Sequence, residues 1–586
     1  MQPVAAKLLD PCGTQKNGGL WPPFSLLSKM SVLIQGCIVT KQNILTRGKK
    51  GQANQLALDG RFEEACALYQ AVSKIDPSDV EVWAKLGATQ YRLGRYLEAE
   101  ASARRALKLA PNLAFAQHTL ALAMQGQGKL DDAATLLEHA LAQRPNSAET
   151  ITNLARLREQ QGRVQESFEL YHRALDLQPD SSYVLAKRAE LQEKAGHVDE
   201  AEEILARGLA REPRHPVLNL VAARLDRRAG RHAQAVTRLE SVLDQPAAQE
   251  SSAEIHLLLG QLHDRLGNTD KVLPHLTEGK RRVALATDPN GQSRARFLAR
   301  IETTRAWVSD NLATSPSAAF QDKAPIFLVG FPRSGTTLLE QLLDSHPRLQ
   351  TLEEKPIAEV LEQAFLNLTG GGPDALANLS EPQLAQLRQV YWAEVERLLD
   401  RKPGTLLVDK LPLNIVRVPL LWRVFPEARF ILALRHPCDV ALSCLMQNFG
   451  HNDAMAGLVS LDSIAQIYSR VMGSWLDYAA RLPLHWHQVR YEDLITNLED
   501  EARSLLDFLG VGWDDAVLGH TRHAQERALI NTPSYHQVIQ PLYQHARYRW
   551  KRYQPAFTPI LPTLQPFIQQ FGYNETDAIP EASAPC

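Results

Sequence analysis

The sequence predicts two architectures in series: an α-solenoid of paired helices, then a P-loop-like three-layer α/β domain with a central parallel sheet. Three observations predict it. A 34-residue beat of glycine, small residue and proline runs through the first half of the chain. A short apolar run at 326–329, "IFLV", leads into a glycine loop and an amphipathic helix. A second strand–turn–helix pattern, "ARFILALRHPCDVALSCLM", follows at 428–446. A chain of 586 residues also exceeds what one hydrophobic core organises, so more than one domain is expected.

The repeat is the strongest signal. Gly60, Gly94, Gly128, Gly162, Gly196 and Gly230 lie 34 apart, and five residues after each comes Ala65, Ala99, Ala133, Ser167, Ala201 or Ala235. Pro77, Pro111, Pro145, Pro179 and Pro213 keep the same beat, and Pro246 arrives one residue early. Glycine ends the first helix of each pair in a left-handed turn, the small residue admits close helix contact, and proline stops the second helix. This pattern resembles the tetratricopeptide repeat over residues 50–285, as six to seven units with the last, at Gly267, offset by 37. The resemblance implies a concave groove for an extended peptide or partner protein; a spacer or homodimerisation arm is the alternative.

Flanking segments complete the domain map. Residues 1–48 read as a poorly ordered leader with an internal Met30, and 286–324 as a polar helix followed by a Ser/Pro/Ala linker. The α/β domain is expected over 325–575, with a disordered tail at 576–586. A net charge of −2 gives no electrostatic argument for nucleic acid. No run of 18 apolar residues argues for a membrane span. The six cysteines are scattered without metal or disulfide spacing, which points to a reducing, cytoplasmic location.

"FLVGFPRSGTTLLEQLLDSHP" places Gly330 and Gly335 at Walker-loop spacing, but Thr336 stands where that loop carries lysine, and Arg333 lies inside it. Strand, glycine loop and helix N-terminus make an anion site from backbone amides and the helix dipole. Leu338, Leu339, Leu342 and Leu343 share one face of that helix. A kinase-like reading would need a magnesium-binding acid, for which Asp409 in "LLVDK" is the candidate. No histidine cluster offers a metal site, and no metal is expected.

These residues resemble the 5′-phosphosulfate loop of sulfotransferases that use 3′-phosphoadenosine 5′-phosphosulfate (PAPS), in particular the protein-tyrosine sulfotransferase group. The resemblance spans about 325–575 and rests on several motifs in order. "TLEEKP" resembles the segment holding the catalytic base, which implies Glu354, with Glu353 as neighbour. "VDKLPLN" puts Lys410 on the lysine that steadies the transferring sulfuryl group. Arg435 and Ser443, eight apart, match the pair that grips the 3′-phosphate. "VRYEDL" implies Tyr491 near the nucleotide. "SYHQVIQPLYQHARYRW" implies Ser534 completing the sulfuryl pocket, with Lys551 or Arg552 on the 3′-phosphate, or else Arg547 or Arg549. Ser334, Gly335, Thr336 and Thr337 would hold the 5′-phosphate with the loop amides, and Arg333 would serve both loop and catalysis.

The function the resemblance implies is sulfuryl transfer from PAPS to a hydroxyl, with protein or peptide tyrosine first. A carbohydrate hydroxyl is the runner-up, and small phenols are disfavoured because enzymes for them generally use a histidine base. A repeat scaffold that binds nucleotide without turnover is the alternative of another class. Animal members carry a membrane anchor and sit in the secretory lumen, whereas neither an anchor nor paired cysteines are expected from the residues here.

Overall fold

A computed structural model describes residues 41–245, 248–249, 251–308, 312, 324–450, 452–519 and 547–573, with side chains from Thr46 onward. Pro246, Ser534, most of the Ser/Pro/Ala linker and the tail at 576–586 lie outside the described residues. The chain divides into two compact units, one ending at Ser251 and the other beginning at Ser252.

The first unit is an array of helical hairpins running from Lys41–Leu58 to His232–Leu243. Its first helix begins within the segment that the sequence marks as leader. The physics of the repeat holds at every unit. All six glycines from Gly60 to Gly230 are left-handed, with φ between 72° and 84°. The small residues Ala65, Ala99, Ala133, Ser167, Ala201 and Ala235 are all fully buried at 0% exposure, so a larger side chain at any of them would push a hairpin open.

The second unit opens with one more hairpin, Ser252–Arg265 and Thr269–Thr287, turning at left-handed Gly267 with φ 76°. The pattern alone would leave this hairpin with the solenoid to residue 285. Instead its Leu257, Val272 and Leu276 join the hydrophobic core that also holds Phe327, Val329 and Phe430. The helix Gln292–Ala306 follows, adding Phe297 and Ile301 to the same core.

A five-stranded sheet in the order β2–β3–β1–β4–β5 forms the centre, with β1 (Ile326–Gly330), β2 (Leu349–Glu353), β3 (Leu406–Lys410), β4 (Arg429–Leu434) and β5 (His485–Arg490). All pairings are parallel. β1 is buried throughout because helices cover both sheet faces, which is why it reads as an unbroken apolar run rather than an alternating one. One face packs Leu338, Leu339, Leu342 and Leu343 with Leu505 and Leu506. The other packs Phe327, Tyr391, Phe425 and Trp475. The strand order reverses at β1, between β3 and β4, and the crevice beyond the carboxyl ends at such a point is where open α/β sheets place ligands.

Candidate active site

The loop after β1 ends in the helix Thr336–Asp344, whose N-terminal amides face that crevice. Two features force the loop's residues. Gly335 has φ 93°, and a Cβ there would lie 2.9 Å from Cδ2 of Tyr491. At Gly330 a Cβ would meet the Ala433 carbonyl oxygen at 2.7 Å, so glycine lets β1 press against β4. Arg333 is itself left-handed at φ 74°, a conformation costing a non-glycine residue about 1–3 kcal/mol and maintained only where surroundings over-determine it.

Those surroundings come from the helix Pro437–Met446. Arg333 Nε donates to Ser443 Oγ at 3.0 Å, and the Cys444 thiol donates to the Pro332 carbonyl at 3.5 Å. Burial pushes the Cys444 thiol up to about 12, so it braces the loop as a neutral donor. Ser334, Thr336 and Thr337 are buried along the same loop. Arg435, at the end of β4, lies with its guanidinium 4.8 Å from the centre of the Tyr491 ring. Arg333 and Ser443, 110 positions apart, are thus in direct contact, Arg435 and Tyr491 form a second pair, and the Tyr491 ring packs close over Gly335.

The second half of the site is at β3. Lys410, at 0% exposure, pairs with Glu340 Oε2 and Glu354 Oε1, each at 2.9 Å. Burial by itself would lower the ammonium, but Glu340, Glu354 and Glu353 hold it above its ordinary value, so Lys410 stays charged. Glu354 is the second left-handed side chain, at φ 43°, and its amide donates to the Lys410 carbonyl at 2.7 Å. Glu353 is instead the strand partner of Lys410 in the β2–β3 register. Glu340 was not singled out from the sequence. Its signal there is one carboxylate in the turn of "TTLLEQLLD" that otherwise faces inward, and a buried carboxylate that stays ionised needs a partner of opposite charge.

The magnesium-binding role considered for Asp409 is not what the strand provides. Successive strand side chains alternate faces, and Asp409 points to the face opposite Lys410, where the Tyr391 hydroxyl donates to its Oδ2 at 2.9 Å. Burial pushes its carboxyl up to about 7 against the opposing Tyr391 hydrogen bond. The sign follows from linkage: the neutral carboxyl's contribution is fully present below the unfolded value of about 3.9 and is lost as pH rises through about 7. Asp409→Asn should remove this slope, raising stability above pH 7 by on the order of 3 kcal/mol relative to wild type. Melting curves of both proteins across pH 5–9 check it, and parallel profiles would contradict it.

The basic residues at 547–552 have different partners. Asp264 lies 3.5 Å from Arg549 Nη1 and 3.2 Å from Arg552 Nη2. Arg547 donates to Thr496 Oγ1 at 3.1 Å. Lys551 holds its ammonium 5.3 Å from the centre of the Tyr548 ring, which lies 5.5 Å from the His436 ring beside Arg435. Ser534, assigned to the sulfuryl pocket, lies outside the described residues. Among the described residues no group of three or more His, Cys, Asp or Glu could hold a metal ion, and no helix is long and apolar enough to cross a membrane.

Comparison with known proteins gives the class that these features define. Residues 325–515 match the sulfotransferase family. Tetratricopeptide repeat families match 80–113, 118–182, 159–225 and 220–271, and a TPR repeat family matches 53–94. The chain therefore carries tetratricopeptide repeats followed by a sulfotransferase domain built on a parallel five-stranded sheet. Among its relatives, protein-tyrosine sulfotransferase 1 of Danio rerio is 26% identical over 275 residues, covering 45% of this chain and 76% of the fish protein. An uncharacterized protein of Aquifex aeolicus is 28% identical over 344 residues, 56% of this chain but only 43% of that relative's length. Among solved structures, the sulfotransferase domain from the curacin biosynthetic pathway is 21% identical over 44% of this chain and 99% of that domain. Its TM-score is 0.30.

Proposed function

We propose that the chain is a PAPS-dependent sulfotransferase that moves a sulfuryl group to an acceptor hydroxyl, with protein or peptide tyrosine as the first acceptor class. The observation that carries the reading is the 2.9 Å pair of Lys410 and Glu354 at the carboxyl end of the sheet, where the anion loop also lies. A carboxylate and a charged lysine side by side are what proton removal and charge stabilisation together require.

PAPS supplies an activated sulfuryl group on a 5′-phosphate. The left-handed loop, Ser334, Gly335, Thr336 and Thr337 are suited to hold that phosphate. Arg435, Ser443 and Lys551 are suited to the 3′-phosphate, with Tyr491 beside the base or sugar. The acceptor oxygen forms a new S–O bond as the S–O bond to the 5′-phosphate breaks, and adenosine 3′,5′-bisphosphate leaves with the electron pair. Glu354 takes the acceptor proton, while Arg333 and Lys410 neutralise charge growing on the bridging oxygen. Such transfers are in-line and loose, so positioning and charge account for most of the acceleration. Ser534 remains part of this proposal through the resemblance alone.

The tyrosine acceptor is supported by the relatives' names and by a repeat array suited to holding a peptide. Recruitment of the acceptor by the repeat groove is part of the same proposal, with a homodimer arm as its competitor. The free, buried Cys66, Cys438 and Cys444 fit a cytoplasmic location. Two measurements test the reading. Transfer from labelled PAPS over a peptide, glycan and phenol panel identifies the acceptor: transfer to glycan alone would favour the carbohydrate reading, and tight nucleotide binding with no transfer would favour a scaffold. Ser443→Ala should weaken adenosine 3′,5′-bisphosphate binding by about 1.5–3 kcal/mol, since a hydrogen bond to a charged group and the Arg333 anchor are both lost. Equal wild-type affinity for adenosine 5′-phosphosulfate, which lacks the 3′-phosphate, would remove the assignment of Arg435 and Ser443.

A further inference from the structure

We propose that Asp264, supplied by the hairpin that continues the repeat pattern, is a positioning residue for the 3′-phosphate end of the nucleotide site. The inference deepens the nucleotide reading above and rests on it. Asp264 sits at the end of the helix Ser252–Arg265 with its side chain 4% exposed. Its Oδ1 accepts from the Tyr553 hydroxyl at 2.5 Å and lies 3.2 Å from Arg552 Nη2, while its Oδ2 lies 3.5 Å from Arg549 Nη1. All three partners belong to one 3₁₀ turn, Arg549–Tyr553.

The same turn is gripped from its other side. Asp439, on the helix that carries Ser443, accepts from the Trp550 amide at 2.9 Å, and the Trp550 ring stacks on His436 at 5.4 Å. Lys551 is the residue between these anchors. A buried carboxylate that gathers two guanidinium groups and a phenol keeps those cations occupied and fixes the backbone that presents Lys551.

The hairpin also grips the far end of the Ser443 helix. Gln261 Nε2 donates to the Met446 carbonyl at 2.7 Å, and Lys280 Nζ donates to the Gln447 and Leu458 carbonyls at 2.7 and 2.8 Å. A cation at that end meets the carbonyls a helix leaves unpaired. Attachment alone is served by Leu257, Val272 and Leu276 in the shared core. Apart from the Lys280 bond to Leu458, these polar contacts go to the two segments that bear Ser443 and Lys551.

Asp264→Asn in the full chain tests the proposal through two ligands, adenosine 3′,5′-bisphosphate and adenosine 5′-phosphate, measured by calorimetry. Bisphosphate affinity should fall about tenfold, the size of one charge-assisted hydrogen bond, with 5′-phosphate affinity changing less than about twofold. In a Lys551→Ala background the same substitution should change bisphosphate affinity by less than about twofold, because its route is already cut. Should Asp264→Asn fail to fold, Tyr553→Phe removes the hydroxyl bonded to Asp264 Oδ1 and carries the same expectation. Unchanged bisphosphate affinity, equal loss for both ligands, or full additivity with Lys551→Ala would each overturn the positioning role. A wild type that does not prefer bisphosphate over monophosphate would overturn the nucleotide reading itself, and this inference with it.

Discussion

Glu354→Gln should lower sulfuryl transfer by roughly 10²–10⁴-fold while leaving adenosine 3′,5′-bisphosphate binding nearly intact, the range for loss of a positioned general base. The structure explains why the two effects should separate. The amide of glutamine still accepts from Lys410 Nζ, where Glu354 Oε1 now lies at 2.9 Å, so the side chain keeps its place. Lys410 keeps a full counter-charge, because Glu340 pairs with it from the buried side. Glu354 is also held by its own amide, bonded to the Lys410 carbonyl, in the left-handed conformation that aims its side chain. The substitution therefore removes a proton acceptor without opening the core. Single-turnover transfer with saturating peptide, alongside calorimetric bisphosphate binding, reads both quantities. Glu353→Gln is the control: it occupies the strand position paired with Lys410, and if it were the damaging change the base would be one residue earlier.

A chain beginning near residue 290 should lose soluble, nucleotide-binding protein, whereas one beginning near Ser252 should keep it. The cut at 290 removes Leu257, Val272 and Leu276 from a shared core. It also removes the Gln261 and Lys280 donors to the Met446, Gln447 and Leu458 carbonyls, each net hydrogen bond contributing about 0.5–1.5 kcal/mol. Against a net stability of about 5–15 kcal/mol these losses together are decisive. The cut at Ser252 falls where the two compact units divide and leaves the second whole. Bisphosphate-dependent thermal stabilisation compares the two fragments, and equal stabilisation would contradict the role given to the hairpin. The Ser252 fragment then tests recruitment as well. Its turnover on a short saturating peptide should hold, while its KM for protein acceptors should rise, because a groove supplies binding that is uniform between ground and transition states. An unchanged KM would leave the array as a spacer or dimer arm.

Much of this was legible in the residues because it is written locally. The left-handed glycine, the buried small residue and the terminating proline recur every 34 positions, and each constrains a hairpin through contacts within its own repeat or the next. β1, its loop and its helix are likewise one continuous stretch, so the strand–loop–helix unit proposed as the anion site announces itself through composition and spacing. Arg333, Glu354, Lys410, Arg435, Ser443 and Tyr491 are implied by the family resemblance of their motifs, and the fold sets Arg333 beside Ser443, Lys410 beside Glu354, and Arg435 beside Tyr491. What the sequence could not decide is where side chains with several local options point, and what faces them across the fold. Asp409 and Lys410 are neighbours in the chain, yet pleating sends one to Tyr391 and the other to Glu340. The hairpin at 252–287 carries the repeat signature and would be counted with the solenoid by any local rule. Tertiary packing assigns it to the sulfotransferase unit, because its Asp264 meets Tyr553 across 289 residues and its Lys280 meets Leu458 across 178. Periodicity reports only the face an element must bury; which partner buries it is chosen by core packing and charge pairing between segments far apart in the chain.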